Sequence, residues 1–329
     1  MALTLTELQA VTDDYILNRT PEDVYFRDNV LIYKLMKKGK SYDGGLKIQT
    51  NLEYAKQHTG SYGPRTEFPV QKKEILTAAF FKYAAYFGVS TYDMEDDLLN
   101  AGDAAIVNII QAKLRNMQKS IRDTMAIDIW RSLAANIAAS EYGDPKPFSG
   151  VADLFSQVAS FKYGEIAPED LLREDGTTSM WKAAYTHDAI TMGFKGLQAI
   201  RRIASLGPSN SDKPDLYITT ELLKDAFEAS EYALVRHSDK NLVDAGFDNV
   251  LFKGAAVVAD ERQTAGQVDG YNLRFLDIIH HSQRNFTKPV WKAEIRTPET
   301  FTCNIRWMGQ LVCSNRLGHV RADNVSAPA

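Results

Sequence analysis

Leu46-Lys47-Ile48-Gln49-Thr50-Asn51-Leu52-Glu53-Tyr54 is the stretch on which the fold turns. Leu46, Ile48, Thr50, Leu52 and Tyr54 alternate with Lys47, Gln49, Asn51, Glu53 and Ala55. That period of two predicts a strand with one dry face. A second strand is predicted from Ile75 to Thr91, rich in aromatic and β-branched residues. Between them lies a polar stretch, Lys56 to Glu74, containing His58-Thr59-Gly60-Ser61-Tyr62-Gly63-Pro64-Arg65. Loops beyond ~15 residues are uncommon inside a compact domain and usually serve a function. Two long strands with a polar tip describe an arm that reaches away from its own body, and a neighbouring chain is its expected contact. Tyr62, Arg65 and Phe68 in the tip are candidate anchors, because aromatic and arginine side chains dominate interface energetics. The competing reading is a loose surface loop.

Upstream of the arm, Thr20-Pro21-Glu22-Asp23 carries a cap, a first-turn proline and acids that favour the helix dipole. It predicts a helix to about Met36, beside the basic cluster Lys34, Lys37, Lys38 and Lys40, before Gly44-Gly45 breaks the chain. Downstream, Asp93-Met94-Glu95-Asp96-Asp97 resembles a cap and an acidic first turn. A single long helix is predicted over residues 95–140. Its stripe is Ile106, Ile110, Leu114, Met117, Ile121, Met125 and Ile129, and Lys113, Arg115, Lys119, Arg122 and Asp123 lie opposite. Such a helix is roughly 65 Å long. It stops before Gly143-Asp144-Pro145.

A turn-rich region, Phe148 to Gly176, leads to a predicted helix from Trp181 to Ser205. Gly207 to Pro214 reads as a surface connection and domain boundary. The strand Leu216–Thr219 and a helix from Glu221 to Ala233 follow. Short strands are predicted at Val250–Phe252 and Ala255–Val258, and Asn272 to His280 alternates again. Phe301 to Trp307, a turn at Met308-Gly309, and Leu311 to Cys313 close the chain. No internal repeat is present, so solenoids are excluded.

With 329 residues, 44% hydrophobic and 24% charged, the chain can bury one large core or two modest ones. A net charge of −4 gives no basic footprint of a dedicated nucleic-acid binder, although a container for nucleic acid need not be basic overall. Met1 to Leu17 has no apolar core run, and no stretch of roughly 18 apolar residues exists, so neither a signal peptide nor a membrane span is expected. Cys303 and Cys313 cannot make a four-cysteine zinc site and are expected as reduced core residues.

The motif signatures of nucleotide-binding loops, nucleophile elbows and zinc proteases are absent from the sequence. His280-His281 are adjacent on a predicted strand and so point to opposite faces, which favours a structural role over a shared ion. Asp93, Glu95, Asp96 and Asp97 could hold a divalent cation, but helix-start chemistry accounts for them without one. Asp260-Glu261-Arg262 reads as a solvated turn, and Lys34 to Lys40 as a solvated helix end rather than a phosphate site.

Several stretches, in this order, resemble the major capsid proteins of tailed bacteriophages, of the Hong Kong 97 type. Asp43-Gly44-Gly45-Leu46-Lys47-Ile48 resembles the start of that family's extended loop, and Phe148-Ser149-Gly150-Val151-Ala152-Asp153-Leu154 the segment after its spine helix. Pro214 to Thr219 resembles the strand opening its axial domain. Ala245-Gly246-Phe247-Asp248 with Leu251 to Val258 resembles a family stretch in which proline is usual where Ala256 stands here. Asn304 to Arg316 resembles the closing strand pair. The resemblance implies an α+β fold: N-terminal arm 1–41, extended β-hairpin loop 42–92, peripheral domain 93–206 with its spine helix, axial domain 207–300, and return strands 301–329.

It further implies a structural protein with no active site, cofactor or metal, which assembles into hexamers and pentamers of an icosahedral head around double-stranded DNA. The expected partners are other copies of itself, a separate scaffolding protein, a portal protein at one vertex, the packaged DNA by non-specific contact and, in some heads, a decoration protein. Assembly is expected in the host cytoplasm and residence in the virion. Some members of that family carry a long N-terminal scaffolding segment that is removed; here the shell-like part begins within about 20 residues of Met1, so either a separate scaffold or an already processed form is expected, and the initiating methionine favours the former. Under this reading the tip lies over a neighbour's spine helix. Arg65, Lys72 and Lys73 would meet Asp96 and Asp97 at the helix start, and Tyr62 and Phe68 would bury apolar area. The alternatives are an encapsulin-like nanocompartment shell, an enzyme with a nonstandard site, and a soluble oligomeric binding module.

Overall fold

The computed structural model describes residues 29–95, 109–173, 176–204, 212–231, 248–286, 291–294 and 299–328. The helix start predicted at Thr20-Pro21 lies outside them. Within them, Asn29 caps α1 (Val30–Lys38), its Oδ1 accepting the Ile32 N–H at 2.9 Å. Val30, Leu31, Ile32 and Leu35 face the core. Gly39 ends the helix, and β1 (Lys40–Tyr42) then runs parallel to β11 (Leu276–His281).

The arm is antiparallel as expected. β2 (Ile48–Glu53) pairs with β3 (Leu76–Phe81), Ile48 opposite Phe81 and Glu53 opposite Leu76. The second strand is not continuous to Thr91. The chain breaks at Lys82-Tyr83, and β4 (Ala84–Asp93) leaves the arm to pair along its whole length with β13 (Thr300–Cys313). Two bonds pull the break onto the body: the Tyr83 hydroxyl donates to the Gly44 carbonyl at 3.1 Å, and Gln310 Nε2 donates to the Lys82 carbonyl at 2.9 Å.

The turn predicted at Met308-Gly309 is also absent, because β13 is one strand of 14 residues. Its first part pairs with β4 and β12 (Lys292–Ala293), its last part with β11. Gly309 marks a close approach instead: a Cβ there would sit 2.5 Å from the Ile279 carbonyl and 2.6 Å from the Trp307 ring.

The long helix is described as α2 (Ile109–Asp128), and its predicted start lies outside the described residues. Met117, Ile121 and Met125 pack on β4, so closely that a Cβ on Gly88 would lie 2.6 Å from Met117 Cγ. The helix does not run unbroken to Ser140. It stops at Asp128, and a separate α3 (Leu133–Ala139) follows. The segment 148–153 causes the break. The Val151 N–H takes the Ile129 carbonyl at 2.7 Å, and Asn136 Nδ2 donates to the Asp128 and Phe148 carbonyls at 2.8 and 3.0 Å. Asp153 Oδ2 accepts the Leu133 N–H at 2.8 Å, which starts the new helix. The helix-end carbonyls are thus satisfied by a neighbouring segment, as buried backbone groups must be.

After α4 (Val151–Leu154), the predicted helix from Trp181 is replaced in its first half by β5 (Ala184–Thr186) and β6 (Ile190–Thr191), leaving α5 (Phe194–Ile203). β7 (Leu216–Thr219) leads to α6 (Glu221–Glu231), whose predicted end lies outside the described residues. β8 (Asn249–Phe252) and β9 (Ala255–Ala259) form a hairpin around Lys253 and Gly254, both at positive φ, the geometry of a two-residue hairpin turn. With β10 (Val268–Tyr271) and β14 (Val320–Ala322) they build a mixed sheet in the order β5-β14-β10-β7-β9-β8, and β15 (Val325–Ser326) pairs with β6.

This sheet is buried on both faces. Leu216 and Ile218 join the main core with Trp307, Tyr86 and Met125, whereas Tyr217 faces a second cluster with Leu197, Phe227 and Val257. The main core therefore continues past the connection predicted at 207–214. Neither cysteine forms a disulfide, and both are buried.

Candidate assembly interface

The root of the arm is part of the core. Ile48, Leu52, Ala79 and Phe81 are buried, and the Phe80 N–H donates to the Gly164 carbonyl at 2.9 Å. Gly164 faces Phe81 and Ala79, where a Cβ would be about 3 Å from either. Phe81 also meets the Tyr163 ring edge-on at 5.3 Å, and Lys47 pairs with Glu165 at 2.6 Å. The alternation read from sequence places one face of β2 against the body for this reason.

Past Glu53 and Leu76 one more bond joins the strands, the Tyr54 N–H donating to the Ile75 carbonyl at 3.0 Å, and the tip beyond it is exposed. Tyr62 and Phe68 are 74% and 69% exposed, and their rings lie 5.6 Å apart, each giving the other partial cover. Arg65 sits in a turn closed by the Thr66 N–H on the Gly63 carbonyl at 3.1 Å. Lys72 is exposed and Lys73 half-buried. Asp96 and Asp97 lie outside the described residues, so the structure brings Tyr62 and Phe68 together and does not place the expected acidic partners.

The arm exposes more apolar surface than those anchors. Leu46, Val70 and Leu76 are 91%, 99% and 66% exposed. On the outer face of β4, Phe87 and Val89 are also exposed, with Tyr142 edge-on to Phe87 at 5.2 Å. Single exposed apolar residues are ordinary, but several within one arm segment, as with Leu46, Tyr62, Phe68, Val70 and Leu76, make it a candidate contact surface. Sequence reading missed Phe87 and Val89 because Ala84-Ala85-Tyr86-Phe87 is apolar on both parities and shows no outer face.

Two charged features differ from expectation. Lys38 and Lys40 are exposed but not purely solvated. Both pair with Asp277, Lys40 at 2.7 Å, and Lys38 also donates to the Leu273 and Leu276 carbonyls. Asp260 is not a solvated turn residue either. It is buried, accepts from Asn29 Nδ2 at 2.8 Å and from the Arg262 N–H at 2.9 Å, and burial raises its pKa. Arg262 in turn pairs with Asp123 of α2. This turn is the clasp between α1, α2 and β9.

A buried guanidinium was also missed. Arg316 is fully buried and donates only to backbone carbonyls: Leu154 at 2.6 and 3.1 Å, Trp181 at 2.9 Å, Ser156 at 3.2 Å and Asp153 at 3.4 Å. Its plane lies 5.0 Å from the Tyr163 ring. It ties the return strand to the two loops that carry the arm's root. The Asn315-Arg316 pair was visible in sequence only as part of a resemblance.

No family model and no curated protein matches the chain by sequence. Solved structures do match it. A subunit of the cyanophage A-1(L) capsid aligns with a TM-score of 0.63 over 96% of this chain and 99% of that one, at 12% identity. A subunit of the native GTA particle capsid aligns at 0.55 over 98% and 100%, at 7% identity. The holo-SrpI encapsulin complex from Synechococcus elongatus aligns at 0.53 over 100% and 98%, at 8% identity. The chain has the α+β fold of tailed-phage major capsid proteins along its whole length.

Proposed function

We propose that the chain is a major capsid protein, a structural subunit that closes with copies of itself, as hexamers and pentamers, into an icosahedral shell around double-stranded DNA. One observation carries this reading: a rooted two-stranded arm ends in a tip whose Tyr62, Phe68 and Val70 are exposed. Burying them on a second copy recovers roughly 1.5–3 kcal/mol per fully covered large side chain. Repeated under symmetry, such contacts close a shell. The full-length likeness to the cyanophage capsid subunit supports the same reading.

In this assembly the N-terminal segment to residue 41 and the arm, 42–92, are the inter-subunit elements. The peripheral part, 93–206, and axial part, 207–300, form the tile, stitched by the return strands from 301. The tip residues Tyr62, Arg65, Phe68, Lys72 and Lys73 contact the neighbour's spine helix at Asp96 and Asp97. A separate scaffolding protein, a portal and the DNA complete the particle, which assembles in the host cytoplasm.

Electron microscopy and sedimentation of the full-length chain, expressed alone and with a scaffold encoded beside it, test the reading. Closed shells tens of nanometres across are expected. A variant lacking residues 58–72 is expected to fold and remain unassembled; intact shells from it would overturn the role of the tip. The likeness to the encapsulin favours a second reading, a shell that packages enzymes. Shells that carry cargo protein and no nucleic acid would establish that one.

A further inference from the structure

The exposed side of α2 carries a row of cations along part of its length. Arg115, Lys119 and Arg122 are all exposed. At 100° per residue they fall within a sector of about 60°, facing away from the Met117, Ile121 and Met125 side that packs on β4. The row spans roughly 10 Å of helix. Both acids of α2 are engaged elsewhere: Asp123 pairs with Arg262, and Asp128 accepts from the Tyr86 hydroxyl at 2.8 Å. The Arg122 guanidinium rests 5.6 Å from the Phe286 ring, and Arg284, two residues before that ring, is exposed as well. A chain with a net charge of −4 thus carries a local cationic row.

We propose that this row is the nucleic-acid face of the subunit, contacting the phosphate backbone of double-stranded DNA without reading bases. This rests on the shell reading and adds to it which surface looks inward. The chemistry fits a polyanion. Roughly 10 Å of duplex presents about six phosphates, and arginine and lysine bind phosphate through charge and hydrogen bonding. The row offers no base-reading groups beyond the cations, and a container needs none. The arm tip, with Arg65, Lys72 and Lys73, is a poor occupant for the same surface, since like charges repel.

The test uses the full-length chain and a 30-base-pair duplex of arbitrary sequence, with affinity measured against salt. The triple variant Arg115→Gln, Lys119→Gln, Arg122→Gln is expected to flatten the slope of log K against log salt by about 2–3, near 0.9 per lost phosphate contact. It should still form shells of unchanged diameter, now with less nucleic acid inside. Lys253→Gln, at a hairpin whose ammonium lies over Phe194 and Phe252, should leave the slope alone. An unchanged slope in the triple variant overturns the proposal. Lost assembly with an unchanged slope overturns it too, and assigns the row to a subunit contact. Failure of the wild-type chain to form shells, read separately by microscopy, would count against the shell reading itself.

Discussion

The Tyr86 hydroxyl donates to Asp128 Oδ2 at 2.8 Å and accepts from the Phe148 N–H at 3.0 Å, so the strand leaving the arm is tied to the last residue of the long helix. Burial raises the pKa of both the phenol and the carboxyl. Tyr86→Phe leaves the Phe148 N–H unsatisfied and Asp128 without its donor, and is expected to cost about 1–3 kcal/mol in chemical denaturation. Asp128→Asn keeps an oxygen for the phenol and removes the titration. Because the folded pKa of Asp128 lies above its unfolded value, this carboxyl favours the fold more as pH falls through the folded pKa toward the ordinary carboxylate range. That contribution should vanish in Asp128→Asn when the variant's stability is compared with wild type across mildly acidic pH.

Gly150 fits where no other residue does. A Cβ there would sit 2.2, 2.5 and 2.7 Å from the carbonyls of Arg131, Ile129 and Asp128, all of them backbone. Gly150→Ala should reach or exceed the upper end of the roughly 1–3 kcal/mol cost of overpacking and yield little soluble chain. Gly143→Ala, with nothing within 4 Å of its Cβ, is the control and should express normally.

Arg316 predicts a non-conservative arginine-to-lysine exchange. An ammonium is a point donor and cannot reach carbonyls spread around the edge of the guanidinium plane. Arg316→Lys is expected to lose roughly 3–5 kcal/mol, the range for disrupting a buried charged network. Thermal unfolding measures it; a loss within experimental scatter of wild type would refute the stapling role.

His319 sets an acid limit. Its Nδ1 accepts the Asn272 N–H at 3.3 Å, its Nε2 faces Cys313 Sγ at 3.4 Å, and burial followed by the Arg316 charge pushes its pKa down to about 3. The folded pKa is below the unfolded one, so stability is present above the unfolded value of about 6.5 and is lost as pH falls toward about 3. The slope from this group is at most about 1.4 kcal/mol per pH unit. His319→Gln should shallow the pH dependence of the urea midpoint below pH 6.5, whatever its effect at neutrality.

Cys313 tests the same pocket chemically. Burial raises its pKa to about 12, and Cys303 is buried as well. Neither thiol should react with a thiol reagent in the native chain at neutral pH, and both should react after denaturation.

Alternation made β2 legible, because one face meets the core and the other meets water. The same rule failed for β4 and β13. Residues such as Ala84, Ala85, Tyr86 and Phe87 are apolar on both sides, and Met308-Gly309 mimics a turn where the glycine in fact allows a close strand crossing. The helix break at Ile129 was illegible for a different reason. Its local sequence favours helix, and the capping groups come from Asn136, Gly150 and Val151, which only the folded chain brings near. Tyr62, Arg65 and Phe68 could be singled out as candidates because a long polar insertion between strands is rare, and the structure shows Tyr62 and Phe68 exposed. Arg316 and Asp260 were missed because a buried ionisable group reads in sequence like any surface one.

The joint at Lys82-Tyr83 has a mechanical consequence. β3 runs through it into β4, and β4 lies along β13 for ten residues. A pull on the tip from a neighbour therefore travels as tension down one backbone and is shed as shear across a whole ladder of hydrogen bonds, which yield together rather than in succession. In a shell of the proposed kind the arm would work as a tendon: internal pressure on the wall would load the strongest direction of the sheet, and the weak point under strain would be the grip of the tip rather than the tile behind it.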